Sequence, residues 1–411
     1  MITVPLAGAL AAALATPRAL AKAGTLPHHR AVRLTVQGST LALHSCNGLQ
    51  EVHGTLDVQT EGPLDCWVAS EALAAVVGRM DGSRAVKVSR ADGHLVLVQG
   101  KRRVRLPEEP DSETVELLPS GRGGPWVRVP RERLRALLTA AVAYTIDDPT
   151  RPSFAGVSLD AAGDWLRVSA LTGHRAFLAR ERVEGVGVWS ALLSVPVVER
   201  WRALLASSRA EHAELRASKV SSAEPSDACG WSTLDARARR GGQSDRVALR
   251  VEGTTLVAAT LAAEPAGVGA LIEAPSYGTH VVARVDLAGA LSALRALALT
   301  AREDEKIFPT LEARAQDAAI ALRTEGGGST EETLDASVVR EGKATDRAVA
   351  VNVKYLLGAL ETADQLSAED VDIAWGLEAR GAASSSWWIV RPAGSSLEDA
   401  PWWTLTMGLA R

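Results

Sequence analysis

The sequence predicts an α+β protein of three domains, each with two helices packed on antiparallel sheets. Three observations carry this. A helix-start pattern recurs six times, at intervals of 64, 61, 66, 90 and 66 residues. Runs of alternating apolar and polar residues, the period of a half-buried strand, fill the intervals. The length of 411 residues suits two to four domains of about 100–200 residues each.

The helix starts come first. "VPLAGALAAAL" from Val4 and "VPRERLRALL" from Val129 carry Pro5 and Pro130 at the entry, where a missing N–H costs nothing. "VPVVERWRALL" from Val195 does the same with Pro196. "VASEALAAVV" from Val68, "VDLAGALSAL" from Val285 and "VNVKYLLGAL" from Val351 offer Ser70, Asp286 and Asn352 as caps. Between them lie "AVRLTVQGSTLALHS", "AVKVSRADGHLVLVQGKRRVRL", "RVALRVEGTTLVAATLA", "TLEARAQDAAIALRT" and "DVDIAWGLEA", alternating strands mostly turned at Gly or Asp. In "GVSLDAAGDWLRVSALTGHRAFLAR", Val157 and Leu159 alternate, Gly163 and Asp164 turn the chain, and Leu166, Val168 and Ala170 alternate again. Gly173, His174 and Arg175 stand at the far end of that second strand.

A unit of about 65 residues is heavier than a solenoid repeat of about 20–45. Pairing the six units gives domains at 1–123, 124–278 and 279–411. The 90-residue interval holds a Ser-, Arg- and Gly-rich stretch at about 210–244, expected as an inserted surface loop.

Composition narrows the function classes. A net charge of −4 argues against wholesale coating by nucleic acid but leaves room for a local basic surface. Cys46, Cys66 and Cys229 are too few and too scattered for a disulfide framework or a zinc site, which points to the cytoplasm. "MITVPLAGALAAALATPRALAKA" has the apolar run of a signal peptide but no Lys or Arg ahead of it. Elsewhere no apolar stretch reaches the roughly 18 residues of a membrane span. The eleven tryptophans are expected chiefly in core packing.

The helices lean basic. They and their exits carry Lys22, Arg79, Arg131, Arg135, Arg202, Arg295 and Lys354 against fewer acids. On the inside of a ring such residues would hold duplex phosphates without reading bases. An enzyme reading would take His174, Arg175 and Asp164 as acid–base groups, but no nucleophile elbow, Cys–His pair or phosphate loop accompanies them. Gly326, Gly327 and Gly328 lack the loop Lys and are expected as a hairpin tip. His28 and His29 lack a third ligand at useful spacing. No enzymatic activity, metal or cofactor is expected.

At this point the chain resembles the bacterial sliding clamp, the beta subunit of DNA polymerase III. "RPSFAGVSLDAAGDWLRVSALTGHRAFLA" is similar to the second-domain motif, a hairpin leading to Gly-His-Arg. "VNVKYLLGALETAD" is similar to the third-domain Asn-x-x-Tyr-Leu motif. "GTLP", "VQGKRRVRLPEEPDSE" and the terminal "TLTMGLAR" fall in the family's order. The resemblance covers nearly the whole chain and implies a non-enzymatic processivity factor. It implies a head-to-tail homodimer closing as a ring around duplex DNA. Polymerase and clamp-loader subunits would insert a short peptide between the second and third domains. Carried over, that pocket comprises Phe154, Leu171, Thr172, Gly173, His174, Arg175 and Ala176. Trp403, Thr404, Leu405, Thr406, Met407 and Leu409 would complete it. The family's Thr-Asp before Gly-His-Arg is Leu171-Thr172 here, and the following Leu is Ala176. A clamp-shaped peptide scaffold that no longer encircles DNA is the alternative.

Overall fold

The computed structural model describes residues 1–22, 27–110, 123–146, 148, 150–185, 188–218, 244–263, 280–300, 310–315, 319–324, 330–341, 349–380, 383–395 and 400–407. Among them are six α-helices, one at each expected start: α1 (Ala7–Lys22), α2 (Ser70–Val77), α3 (Arg131–Val142), α4 (Val195–Ser207), α5 (Leu287–Thr300) and α6 (Val353–Gln365). Two of the expected caps form. Asn352 Oδ1 accepts from the Lys354 N–H at 2.9 Å, and Asp286 Oδ2 accepts from the Gly289 N–H at 2.6 Å. Ser70 does not cap: it is the first residue of α2, and Ala69 holds the cap position without a side-chain bond.

The chain forms two compact units. Unit 1 comprises Met1–Glu132, Glu199–Val220 and Ser244–Thr260. Unit 2 takes in Arg133–Val198 and the described residues from Leu261 onward. These borders differ from the expected domain ends because sheets run on through them. In unit 1 an eight-stranded sheet has the order Val127–Pro130, His212–Ala217, Arg246–Val251, Thr254–Ala259, Gln50–Asp57, Thr40–Cys46, Ala31–Gln37, Asp65–Ala69. The Thr254–Ala259 strand, expected in the second domain, pairs with Gln50–Asp57 of the first, Thr255 opposite His53. A five-stranded sheet completes the unit, in the order Gln59–Thr60, Ile2–Val4, Val86–Ala91, His94–Gln99, Arg102–Pro107.

The start of the expected insert is not a loop. His212–Ala217 is an inner strand, pairing with Val127–Pro130 on one side and Arg246–Val251 on the other. Its alternation of buried Ala213, Leu215 and Ala217 with polar residues is strand period. The Ser- and Arg-rich composition around it masked that signal. Residues 219–243 lie outside the described residues, as do Gly326 to Gly328.

The core of unit 1 gathers both sheets with helices α1 and α2. Leu10 and Leu14 of α1, Leu73 and Val77 of α2, Ile2 and Val4, and Leu34, Leu41 and Leu43 belong to one buried cluster. The residues that read like a signal peptide are therefore core material. Gly54 sets how closely α1 lies on the sheet: a Cβ there would stand 2.9 Å from the Ala13 carbonyl oxygen.

Unit 2 is built likewise. Its nine-stranded sheet has the order Trp189–Ser194, Gly156–Ala162, Trp165–Leu171, Arg175–Arg182, Trp402–Met407, Ala383–Pro392, Asp370–Arg380, His280–Asp286, Ser337–Glu341. A four-stranded sheet has the order Thr330–Asp335, Ala319–Thr324, Thr310–Ala315, Val349–Asn352. Inside the larger sheet, buried Arg167 meets Asp160 at 2.7 Å, and Ser190 and Ser158 donate to the same carboxylate. Trp375, Trp387, Trp388, Trp402 and Trp403 are all buried, as expected of core tryptophans.

Replacing Leu10 by Ala should destabilise unit 1 by about 2–5 kcal/mol, the cost of a cavity in a closed core. Leu6→Ala, at a half-exposed position, should stay within about 0.5 kcal/mol of wild type. Urea midpoints of both variants against wild type check this, and equal midpoints would contradict the core assignment.

Candidate functional site

Of the residues expected to form a peptide pocket, Arg175, Ala176, Trp403, Thr404, Leu405 and Thr406 meet at one seam of unit 2. The strands Arg175–Arg182 and Trp402–Met407 pair antiparallel, with Arg175 opposite Thr406, Ala176 opposite Leu405, Phe177 opposite Thr404 and Leu178 opposite Trp403. Side chains alternate faces along each strand, so the seam has two sides. On one, Ala176, Leu178, Trp403 and Leu405 join Val282, Trp387 and Ile389 in a buried cluster, with half-buried Leu171 packed against it. On the other, Arg175 and Phe177 meet the aromatic side chain of Tyr144.

Gly173 and His174 form the turn that joins Trp165–Leu171 to Arg175–Arg182. The Thr172 N–H donates to the Arg175 carbonyl at 2.8 Å, and the Thr172 hydroxyl accepts from the His174 and Arg175 N–H groups. Gly173 has φ +45°, a left-handed conformation that disfavours other residues, although a Cβ there would meet nothing closer than 3.8 Å. Its need for Gly is conformational, not steric.

The Arg175 guanidinium lies between two rings, 5.3 Å from the Tyr144 centroid and 4.7 Å from that of Tyr355 on α6. Both distances fall within cation–π range. Burial pushes the Tyr144 hydroxyl up from its usual range, so it stays neutral, and it bonds the Thr362 hydroxyl at 3.3 Å. Two of the chain's three tyrosines thus hold Arg175. Sequence reading missed both, because positions 144, 175 and 355 come together only in the fold; the scarcity of Tyr was the one available signal. Arg175 is a positioning residue that ties the turn to α6.

The remaining pocket residues divide by exposure. Gly173 and His174 are exposed; Phe154, Leu171 and Arg175 are half-buried. Thr172, Ala176, Trp403, Thr404, Leu405 and Thr406 are buried. The C-terminal strand therefore backs the turn from inside the sheet, with Leu171 half-buried and His174 exposed beside it, while Phe154 belongs to the short turn Pro152–Phe154. Met407 pairs in register with Trp387, and Leu409 lies outside the described residues.

The acid–base set of an enzyme reading does not assemble. Asp164 sits in the turn before Trp165, and His174 in the turn after Leu171, so a seven-residue strand separates them. At about 3.3 Å per residue they stand roughly 20 Å apart.

The basic helix residues differ in what holds them. Arg131 donates to the Ala210 and Leu205 carbonyls, each at 2.6 Å, and so fixes the end of α4 in unit 1. Arg202 pairs with Glu199 at 2.7 Å, and Arg295 lies 3.6 Å from Glu361. Lys22, Arg79 and Lys354 are exposed, and Arg135 is half-buried. No helix of the described residues is long and apolar enough to cross a membrane.

No family model and no curated protein matches the sequence. Solved structures match it end to end. The DNA polymerase III beta subunit of Thermotoga maritima is 16% identical with a TM-score of 0.71, covering 100% of this chain and 99% of that one. The DNA polymerase III subunit beta of Pseudomonas aeruginosa is 16% identical with a TM-score of 0.75, covering 100% of both chains. The beta subunit from the DNA polymerase of Streptococcus pyogenes is 13% identical with a TM-score of 0.74, again over 100% of both. Helices at every repeat, strand pairing through the expected domain borders and this full-length likeness lead to one conclusion: the chain has the fold of the bacterial DNA sliding clamps.

Proposed function

We propose that two copies of this protein close head to tail into a ring around duplex DNA, and that partners dock on it by a short peptide at the corner of Phe154, Leu171 and His174. The single observation that carries the reading is the likeness to sliding-clamp structures over the whole chain, at TM-scores of 0.71 to 0.75. DNA polymerase and clamp-loader subunits are the partners this reading implies. The ring would have no catalytic role.

Edge chemistry supports the closure. Arg102–Pro107 is the last strand of its sheet and carries exposed Arg102, Arg103 and Arg105. Thr330–Asp335 is the last strand of another and carries Glu331, Glu332 and Asp335. An unpaired edge is a template for a further strand, and opposite charges select which edge it takes. A basic edge in one copy and an acidic edge in the other fit a heterologous contact that repeats twice and closes.

One observation favours the scaffold alternative. Arg131, Arg202 and Arg295 are already engaged with carbonyl or carboxylate groups of the chain. Phosphate contact by the exposed Lys22, Arg79 and Lys354, with half-buried Arg135, would suit loose, salt-sensitive holding of DNA.

Loaded on nicked circular plasmid, the protein should stay on the circle in size-exclusion chromatography and run off once the plasmid is cut. Equal retention on circle and linear form would overturn encirclement and favour the scaffold. Arg103→Glu and Glu332→Arg should each weaken self-association by about tenfold or more, because like charges then face each other. Mixing the two variants should restore it; sedimentation showing unchanged dimers in both would remove this edge pairing. Leu171→Ala with His174→Ala should lower affinity for a fluorescent clamp-binding peptide about tenfold, as loss of an anchor does. Unchanged anisotropy titrations would remove the corner assignment.

A further inference from the structure

On the eight-stranded sheet of unit 1 stands a buried carboxylate with two imidazoles upon it. The local sequence is "HSCNGLQEVH", residues 44–53. Asn47 and Gly48, the latter at φ +84°, turn Thr40–Cys46 back into Gln50–Asp57. The register sets His44 directly opposite His53 and Cys46 opposite Glu51. Direct partners share a face, and so do residues two apart on one strand. His44, Glu51 and His53 therefore converge on one side of the hairpin. His44 Nε2 lies 2.7 Å and His53 Nε2 2.8 Å from the same Glu51 oxygen, Oε1. The two imidazoles stack at 4.7 Å between centroids. One donor atom from each of the three lies within 4.8 Å of the others.

The surroundings favour a cation. Glu51 is fully buried, and an isolated buried carboxylate is costly. Two of the arginines that line the same groove as His44 and His53 have carboxylates of their own. Arg33, the partner of His44 on the next strand, is bidentate to Asp65 at 2.8 and 2.9 Å. Arg250, the partner of Thr255, bonds Glu214 at 2.5 Å. The site also has a way in. His44 and His53 line a groove of about 740 Å³ on the same face, and the His53 side chain is 34% exposed.

We propose that His44, Glu51 and His53 form a binding site for a divalent transition metal, Zn²⁺ by preference, with the fourth position open to the groove. Two imidazole nitrogens and one carboxylate oxygen are a donor set that suits such ions. Bound there, the metal takes an Nε2 lone pair from each imidazole in place of the hydrogen bond to Glu51. It then bridges two strands one pairing away from the Gln50–Asp57 and Thr254–Ala259 seam. A water or a small anion from the groove completes the tetrahedron. Sequence reading weighed only His28 and His29, which lack a third ligand; the signal it missed is a His on each side of an Asn-Gly turn with a Glu two residues before the second.

The test uses the full chain stripped with chelator and titrated with Zn²⁺ by calorimetry, and with Co²⁺ by its visible d–d bands. The expected result is one high-affinity Zn²⁺ per chain and a tetrahedral Co²⁺ spectrum. His53→Ala and Glu51→Gln should each weaken the affinity by tenfold or more, while His174→Ala leaves it unchanged. His53 is partly exposed, so its variant keeps the test open if Glu51→Gln fails to fold. Absence of a high-affinity site in the wild type, or equal affinity in wild type and His53→Ala, overturns the proposal.

Discussion

Strand pairing across the expected domain borders is the constraint on which this structure depends. Each seam is a run of backbone hydrogen bonds between strands far apart in sequence: Thr254–Ala259 with Gln50–Asp57 in unit 1, and Arg175–Arg182 with Trp402–Met407 in unit 2. Backbone donors and acceptors must be paired when buried, and a sheet edge is the place where that demand stays open. Joining edge to edge meets it without adding a helix or a loop. It also makes each joined sheet one body, which is why the compact units do not coincide with the repeat.

The seams bring together what the sequence keeps apart. In unit 2 the pairing carries Thr172, Arg175 and the C-terminal strand to one corner. The aromatic clasp of Tyr144 and Tyr355 then fixes the turn that Gly173 permits. The inner side of that seam is filled by Trp387 and Trp403, so the corner has a rigid back and a small accessible rim. In unit 1 the corresponding pairing lies beside His53 and Glu51, and so places a charged cluster within a hairpin that is itself a structural joint.

Charge is used in two ways. Within the sheets, cations and anions are matched locally, as in half-exposed Arg250 with Glu214 and buried Arg167 with Asp160, where removing one partner would leave the other buried and uncompensated. At the last strands of two sheets the charges are segregated instead, basic on Arg102–Pro107 and acidic on Thr330–Asp335. Segregation is poor for the stability of a lone chain and suited to choosing a partner edge.

The sequence by itself determined the local structure. Period and entry chemistry located the six helices of the described residues, and Gly or Asp turns marked most hairpins, because both are set by neighbours a few residues apart. It also placed the Gly-His-Arg stretch at the far end of the second strand of its hairpin. Tertiary structure alone decided which strands meet, and so which residues form a site. The strand at His212–Ala217 was hidden by the composition around it. The burial of Trp403 to Thr406, the engagement of Arg131 with the end of α4, and the convergence of His44, Glu51 and His53 all depend on pairing register. Register is not a local property: a shift of one residue turns every side chain to the other face. Only the packed sheet, with one face closed by helices and the other open, makes a single register the stable one.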